Sequence, residues 1–111
     1  MAGQDDAMLL VQLMRWGTES GALDAIHVIF ADDFDPRTAS VGDTSVRKVL
    51  IFNEMIGTLV KHGLLSRDLV LDVWSIAALW RRLGPVVLRE RKRLDAERLY
   101  ENFELLAGDA A

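Results

Sequence analysis

The sequence predicts an all-α fold, a compact bundle of five to six helices around a central buried helix at about residues 46–62. Three observations carry that prediction. Apolar residues recur at spacings of three and four along nearly the whole chain, which is the period of one helix face. No apolar–polar alternation runs long enough to make a paired strand. Only two prolines occur, so few positions forbid a helix interior.

The first helix begins at Asp5 or Asp6, either of which can accept hydrogen bonds from free backbone N–H groups, and runs to about Trp16. Leu9, Leu13 and Trp16 make its inner face. A second helix follows Ser20, with Leu23, Ile26 and Phe30 on one side. Residues 31–43, ADDFDPRTASVGD, read as a loop because proline, glycine, Asp and Ser cluster there. Asp43 or Thr44 opens the third helix and Gly63 closes it in the left-handed conformation. On this helix Val46, Val49, Leu50, Ile56, Gly57 and Val60 share one side while Phe52, Met55 and Leu59 cover another. Arg47, Glu54, Thr58 and Lys61 leave only a narrow polar sliver, so the helix belongs in the middle of the bundle.

Ser66 caps a fourth helix, SRDLVLDVW, with Asp68 favourably placed in its first turn. Whether residues 66–93 form one kinked helix or two is left open by the pattern. Within it, residues 76–93 are most consistent as a single helix kinked at Pro85. The last helix runs from Asp95 to Gly108, with Leu99, Phe103 and Leu106 as its core stripe.

At 111 residues the chain is read as a single helical domain, 1–111, large enough to bury a core without disulfides or metal. Half of it is apolar and 27% is charged, an ordinary globular composition. The absence of cysteine removes disulfides, thiolate metal sites and thiol catalysis, and fits a cytoplasmic location. No apolar run exceeds the five residues of Ala7–Val11, far short of the roughly 18 that a membrane span needs. Asp5 and Asp6 stand where a secretion signal would carry positive charge. Direct membrane insertion is therefore not expected.

Metal chemistry has little support. His27 and His62 are the only histidines, and only Asp24 stands at helical spacing from either. The DDFD stretch lacks the calcium-loop pattern, and no glycine-rich phosphate loop or nucleophile elbow occurs. No cofactor, metal or catalytic residue is expected. The stretch LVKHGLLSRDLVLDVW could pass for a helix-turn-helix, but Asp68 and Asp72 on its second helix would repel phosphates.

The most distinctive segment is WRRLGPVVLRERKR, residues 80–93, which holds six of the thirteen basic side chains. On a wheel at about 100° per residue, Arg81, Arg82, Arg89, Lys92 and Arg93 fall within an arc of roughly 120°. Ile76, Leu79, Leu83, Val86, Val87 and Leu94 lie opposite. The five cations form a candidate docking face for phosphate or for an acidic protein. The blander expectation is that Glu97, Glu101 and Glu104, spaced i, i+4 and i+7 on the following helix, partly neutralise it. The basic cluster is also local: residues 1–43 hold eight acids against two bases, and residues 44–111 nine against eleven. That balance weighs against a nucleic-acid binder.

Two polar residues interrupt apolar faces, Glu90 on the basic helix and Asn53 on the central one. A buried carboxylate or amide needs partners, so each is expected to be a satisfied polar group that fixes packing, or else to line a polar pocket. Trp16, Trp74 and Trp80 are expected to anchor the core or its rim.

The motifs Leu59–Leu65, Asp68–Trp74, Trp80 to Pro85, Arg89–Arg93 and Tyr100–Leu106 together resemble a family of uncharacterised bacterial and phage helical domains. The resemblance covers most of the chain and only loosely the first two helices. It implies an all-helical cytoplasmic domain without an assigned activity, so it carries over no catalytic residue. Relatives often follow an N-terminal membrane anchor, which is not expected here because the chain opens on its first helix. The function expected is a non-enzymatic protein-interaction or regulatory module, with self-association into a homodimer as one form of that role. The alternative is a nucleic-acid-binding accessory protein that uses the 81–93 face.

Overall fold

The computed structural model describes residues 3–108, which form six helices and no strand. They are α1 (Gln4–Glu19), α2 (Ala22–Phe30), α3 (Thr44–Lys61), α4 (Arg67–Val73), α5 (Ile76–Leu94) and α6 (Glu101–Gly108). Helix α3 borders α2, α5 and α6. Through Phe52 it also reaches Trp16 of α1 and Trp74 at the end of α4. Val46, Val49, Leu50, Phe52, Asn53, Ile56 and Gly57 are buried along it. It is the centre of the bundle, as its apolar circumference predicts, but it is not encased on every side. Ile51 and Met55, one turn apart, remain exposed.

Helix α1 continues a turn beyond the expected end at Trp16, because Gly17 is a packing residue rather than a stop. A Cβ there would lie 2.9 Å from Phe52 Cζ. Nor is an aspartate its N-cap: Gly3 holds that position, and Asp6, in the first turn, reaches back to the Gly3 amide at 2.8 Å. Helix α2 turns a different face inward than expected. Ala22, Ala25 and Ile29 are buried, Leu23 and Ile26 pack at the margin, and Phe30 is exposed. The small alanines let this short helix lie close to α3 and α5.

Ser66 caps α4, its hydroxyl accepting from the Leu69 amide at 3.3 Å. Trp74 then adopts an extended backbone, so α4 and α5 are two helices. Helix α5 is continuous through Pro85. That proline is on the exposed side, where the hydrogen bond it removes falls towards solvent. Of the expected inner stripe of α5, Ile76, Leu79, Leu83, Val86 and Val87 are buried, whereas Leu94 is exposed at the overhanging end.

The last helix departs most from expectation. Residues 95–100 are turns, and α6 begins only at Glu101. Asp95 (φ 52°) and Tyr100 (φ 55°) both take the left-handed conformation, which stops α5 and redirects the chain. Helix α6 then packs on α3 and α5. Phe103 sits edge-on to Trp80 with ring centroids 5.1 Å apart, and Leu106 and Ala107 fill the core beside it.

Candidate functional site: the basic face of α5 and the loop across it

The basic face predicted on α5 forms, but most of it is engaged within the molecule. Arg82 Nη1 donates to the Ala31 carbonyl at 3.3 Å. Arg89 Nη2 donates to two carbonyls of the 31–43 loop, Pro36 at 3.1 Å and Ala39 at 2.6 Å. Arg93 grips Glu90 through Nε and Nη2. Arg81 and Lys92 are exposed, with no ion pair among the described residues. Two arginines thus hold the long loop against α5 through neutral acceptors, and neither makes an ion pair among the described residues.

The acidic stripe does not cover this face. Glu101 pairs with Arg98 at 2.6 Å and with Lys61 at 4.0 Å. Glu104 pairs with Arg91 at 3.0 Å. Glu97 lies in the turns and makes no ion pair among the described residues. The regular spacing of the three glutamates presumed a helix from Asp95. Without it, only Glu101 and Glu104 share a helix, and α6 approaches the flank of α5 that carries Arg91, outside the five-cation arc.

Glu90 is not in the apolar core, although its wheel position lies at the centre of the inner arc. The buried stripe ends at Val87, and Glu90 sits one turn beyond it under the loop, its side chain 12% exposed. The Arg93 guanidinium bonded to it, together with the nearby Arg89 charge, holds its carboxyl below the ordinary range. Glu90 therefore stays ionised. Asn53 is truly interior at 1% exposure. Its Nδ2 donates to the Val49 carbonyl at 2.8 Å, a bond back along its own helix. It does not line the pocket that surrounds Glu90.

Around Glu90 the loop and helix border an open pocket of about 300 Å³, lined by Arg37, Thr38, Ser40, Arg89, Glu90 and Arg93 together with Ala39, Val41 and Val86. Arg37 is itself held by Asp35, whose carboxyl that guanidinium lowers. The wheel could not include Arg37, Thr38 or Ser40, since they come from the loop. Their only sequence signal was the loop's length, which lets it reach across α5. No group of three or more metal-binding side chains occurs among the described residues, and His27 and His62 are exposed.

No described helix is long and apolar enough to cross a membrane. No curated protein and no solved structure significantly matches the chain. One family model does, over residues 7–109, and its description is a domain of unknown function (DUF4760). That span begins within α1, at residue 7, and takes in the five later helices, including the motifs on which the resemblance to an uncharacterised helical family rests. By that match the chain belongs to the DUF4760 family.

Proposed function

We propose that this chain is a non-enzymatic protein-interaction module of regulatory type, which docks through the outer face of α1 and uses that face to self-associate. One observation carries the reading: α1 is apolar on both sides. Leu9, Leu10, Leu13 and Trp16 pack on the core. On the opposite side Met8 is 57% exposed and Val11 68% exposed, and Met14 is exposed beside them. Ala7, Val11 and Met14 follow at i, i+4 and i+7, the spacing with which one helix meets another. Methionine side chains adapt to irregular partner surfaces, which suits such a contact. The absence of cysteine supports a cytoplasmic setting. Nucleic-acid binding by the α5 face has less support, because the basic cluster is local in a chain whose net charge is -4.

The test is sedimentation velocity over a wide concentration range, on the wild-type chain and on Val11→Glu. The wild type is expected to shift from monomer to dimer as concentration rises, and the variant to remain monomeric. Because Val11 is exposed, the substitution should change folding stability by no more than about 0.5 kcal/mol. A wild type that stays monomeric throughout removes self-association. A Val11→Glu chain that dimerises as the wild type does removes α1 as the docking face.

A further inference from the structure

The pocket under the 31–43 loop gathers more positive charge than the chain itself satisfies. Three guanidiniums, Arg37, Arg89 and Arg93, line it; Asp35 pairs with Arg37 and Glu90 with Arg93, and Arg89 alone has no ion pair among the described residues. Arg89 is the central group. Two neutral carbonyls fix its Nη2, at 3.1 and 2.6 Å, and no carboxylate pairs with it among the described residues. Its Nε and Nη1 make no hydrogen bond among the described residues. A cation held by dipoles keeps its attraction for an incoming anion, and a guanidinium presents donors in the fork that matches an oxyanion. Ser40 adds a hydroxyl. Its Oγ accepts from the Gly42 amide at 3.1 Å, which leaves its O–H proton to donate.

Glu90 shows that the pocket accommodates an oxyanion, because its carboxylate already sits there, two-point bonded to Arg93 and largely shielded by the loop. We propose that this pocket is a binding site for a small phosphate-class oxyanion, held by Arg89 and Arg93 with the Ser40 hydroxyl, and that Glu90 is its internal competitor. An arriving phosphate displaces the Glu90 carboxylate from Arg93 and joins Arg89, which has no ion pair of its own among the described residues. Arg81 and Lys92 line no part of this pocket and take no part in the site.

The experiment uses the full isotope-labelled chain, following backbone amides and arginine Nε–H signals by NMR. The probes are inorganic phosphate, a sugar phosphate monoester and sodium chloride at matched ionic strength. Both phosphates are expected to give saturable shifts at Ser40, Val41, Arg89 and Arg93, and chloride none. Tighter binding of the monoester would identify an organic phosphate as the source, and equal binding the free ion. Arg89→Gln should weaken phosphate at least about tenfold, by loss of charge-assisted bonds. Glu90→Gln should tighten it about threefold, the scale of one partly exposed ion pair. Arg81→Gln, which removes a cation outside the pocket, should leave affinity unchanged and shows that net charge alone is not the cause. Shifts that chloride reproduces or that never saturate overturn the proposal, as does weaker binding by a folded Glu90→Gln chain. A short oligonucleotide without a terminal phosphate that binds more tightly than phosphate, moving Arg81 and Lys92 as well, overturns it in favour of a nucleic-acid track.

Discussion

Gly57 sets how closely α3 and α6 approach. A Cβ there would stand 2.3 Å from the Asn102 carbonyl oxygen and 2.6 Å from its carbon. Those atoms are backbone and cannot swing aside as a side-chain tip would. Around this crossing Asn102 Nδ2 donates to Thr58 Oγ1 at 3.1 Å, so displacing α6 also breaks a polar link. Gly57→Ala should therefore destabilise the fold by about 3 kcal/mol, the upper range for overpacking, despite alanine's better helix propensity. Urea unfolding of the two chains measures it, and a loss under about 1 kcal/mol would mean that α6 slides without cost. The apolar periodicity places Gly57 on the inner side of α3 but cannot tell a tolerated glycine from a required one. Only the facing backbone distinguishes them. Gly17 shows the same limit: it lies just past the expected end of α1 at Trp16 and proves to be a packing position against Phe52.

At the scale of elements, charged side chains tie helix ends together, and sequence spacing hides this because the partners are far apart along the chain. Glu54 of α3 accepts from the Phe103 amide at 2.9 Å, in the first turn of α6. Arg67 of α4 donates to the Leu106 carbonyl at 3.0 Å, near the end of the same helix. Helix α6 has only eight residues and is short for independent stability, so these ties and its buried Phe103 hold it in place. The long helices α3 and α5 are readable from periodicity, since their own apolar faces specify them. The start of α6 is not, because Asp95 and Tyr100 adopt left-handed turns that composition did not signal. Asp6 forms an equivalent tie for α1. Its two oxygens accept from the Gly3 amide and from the Ser66 amide at the start of α4, each at 2.8 Å. Those bonds lower its carboxyl below the ordinary value of 3.8. A lowered folded-state value means that the contribution is present above pH 3.8 and disappears as pH falls through the folded-state value. Thermal midpoints of the wild type and Asp6→Asn should thus differ at neutral pH and converge in acid below that range. A gap that persists unchanged in acid would show that the ionised carboxylate is not what anchors α1.

Across the whole molecule, three helical layers converge on one side chain. Phe52 is fully buried, its ring 5.1 Å from Trp16 and 5.8 Å from Trp74, and it fills the space left by Gly17. It therefore joins α1, the end of α4 and α3, which are otherwise linked by few direct contacts. A second aromatic pair, Trp80 with Phe103, joins α5 and α6. Each tryptophan was readable as an anchor from its size alone, but the division into two clusters depends on the turns that position Trp74 and α6. Phe52→Ala should cost about 3–5 kcal/mol, because the cavity opens in the core beside Trp16 and Trp74. Against a total stability of about 5–15 kcal/mol, that loss should lower Tm by roughly 10 °C or more while unfolding stays cooperative. Phe52→Leu keeps most of the volume and should lose less than half as much. Tryptophan emission separates this from a general weakening. Trp16 and Trp74 lose their shared neighbour and should emit further to the red in the folded state, whereas Trp80 keeps Phe103. Variants at Trp16, Trp74 and Trp80 assign those signals one at a time. If Trp80 shifted together with the other two, the aromatic clusters would be a single cooperative unit and Phe52 would be its centre rather than the junction of one side.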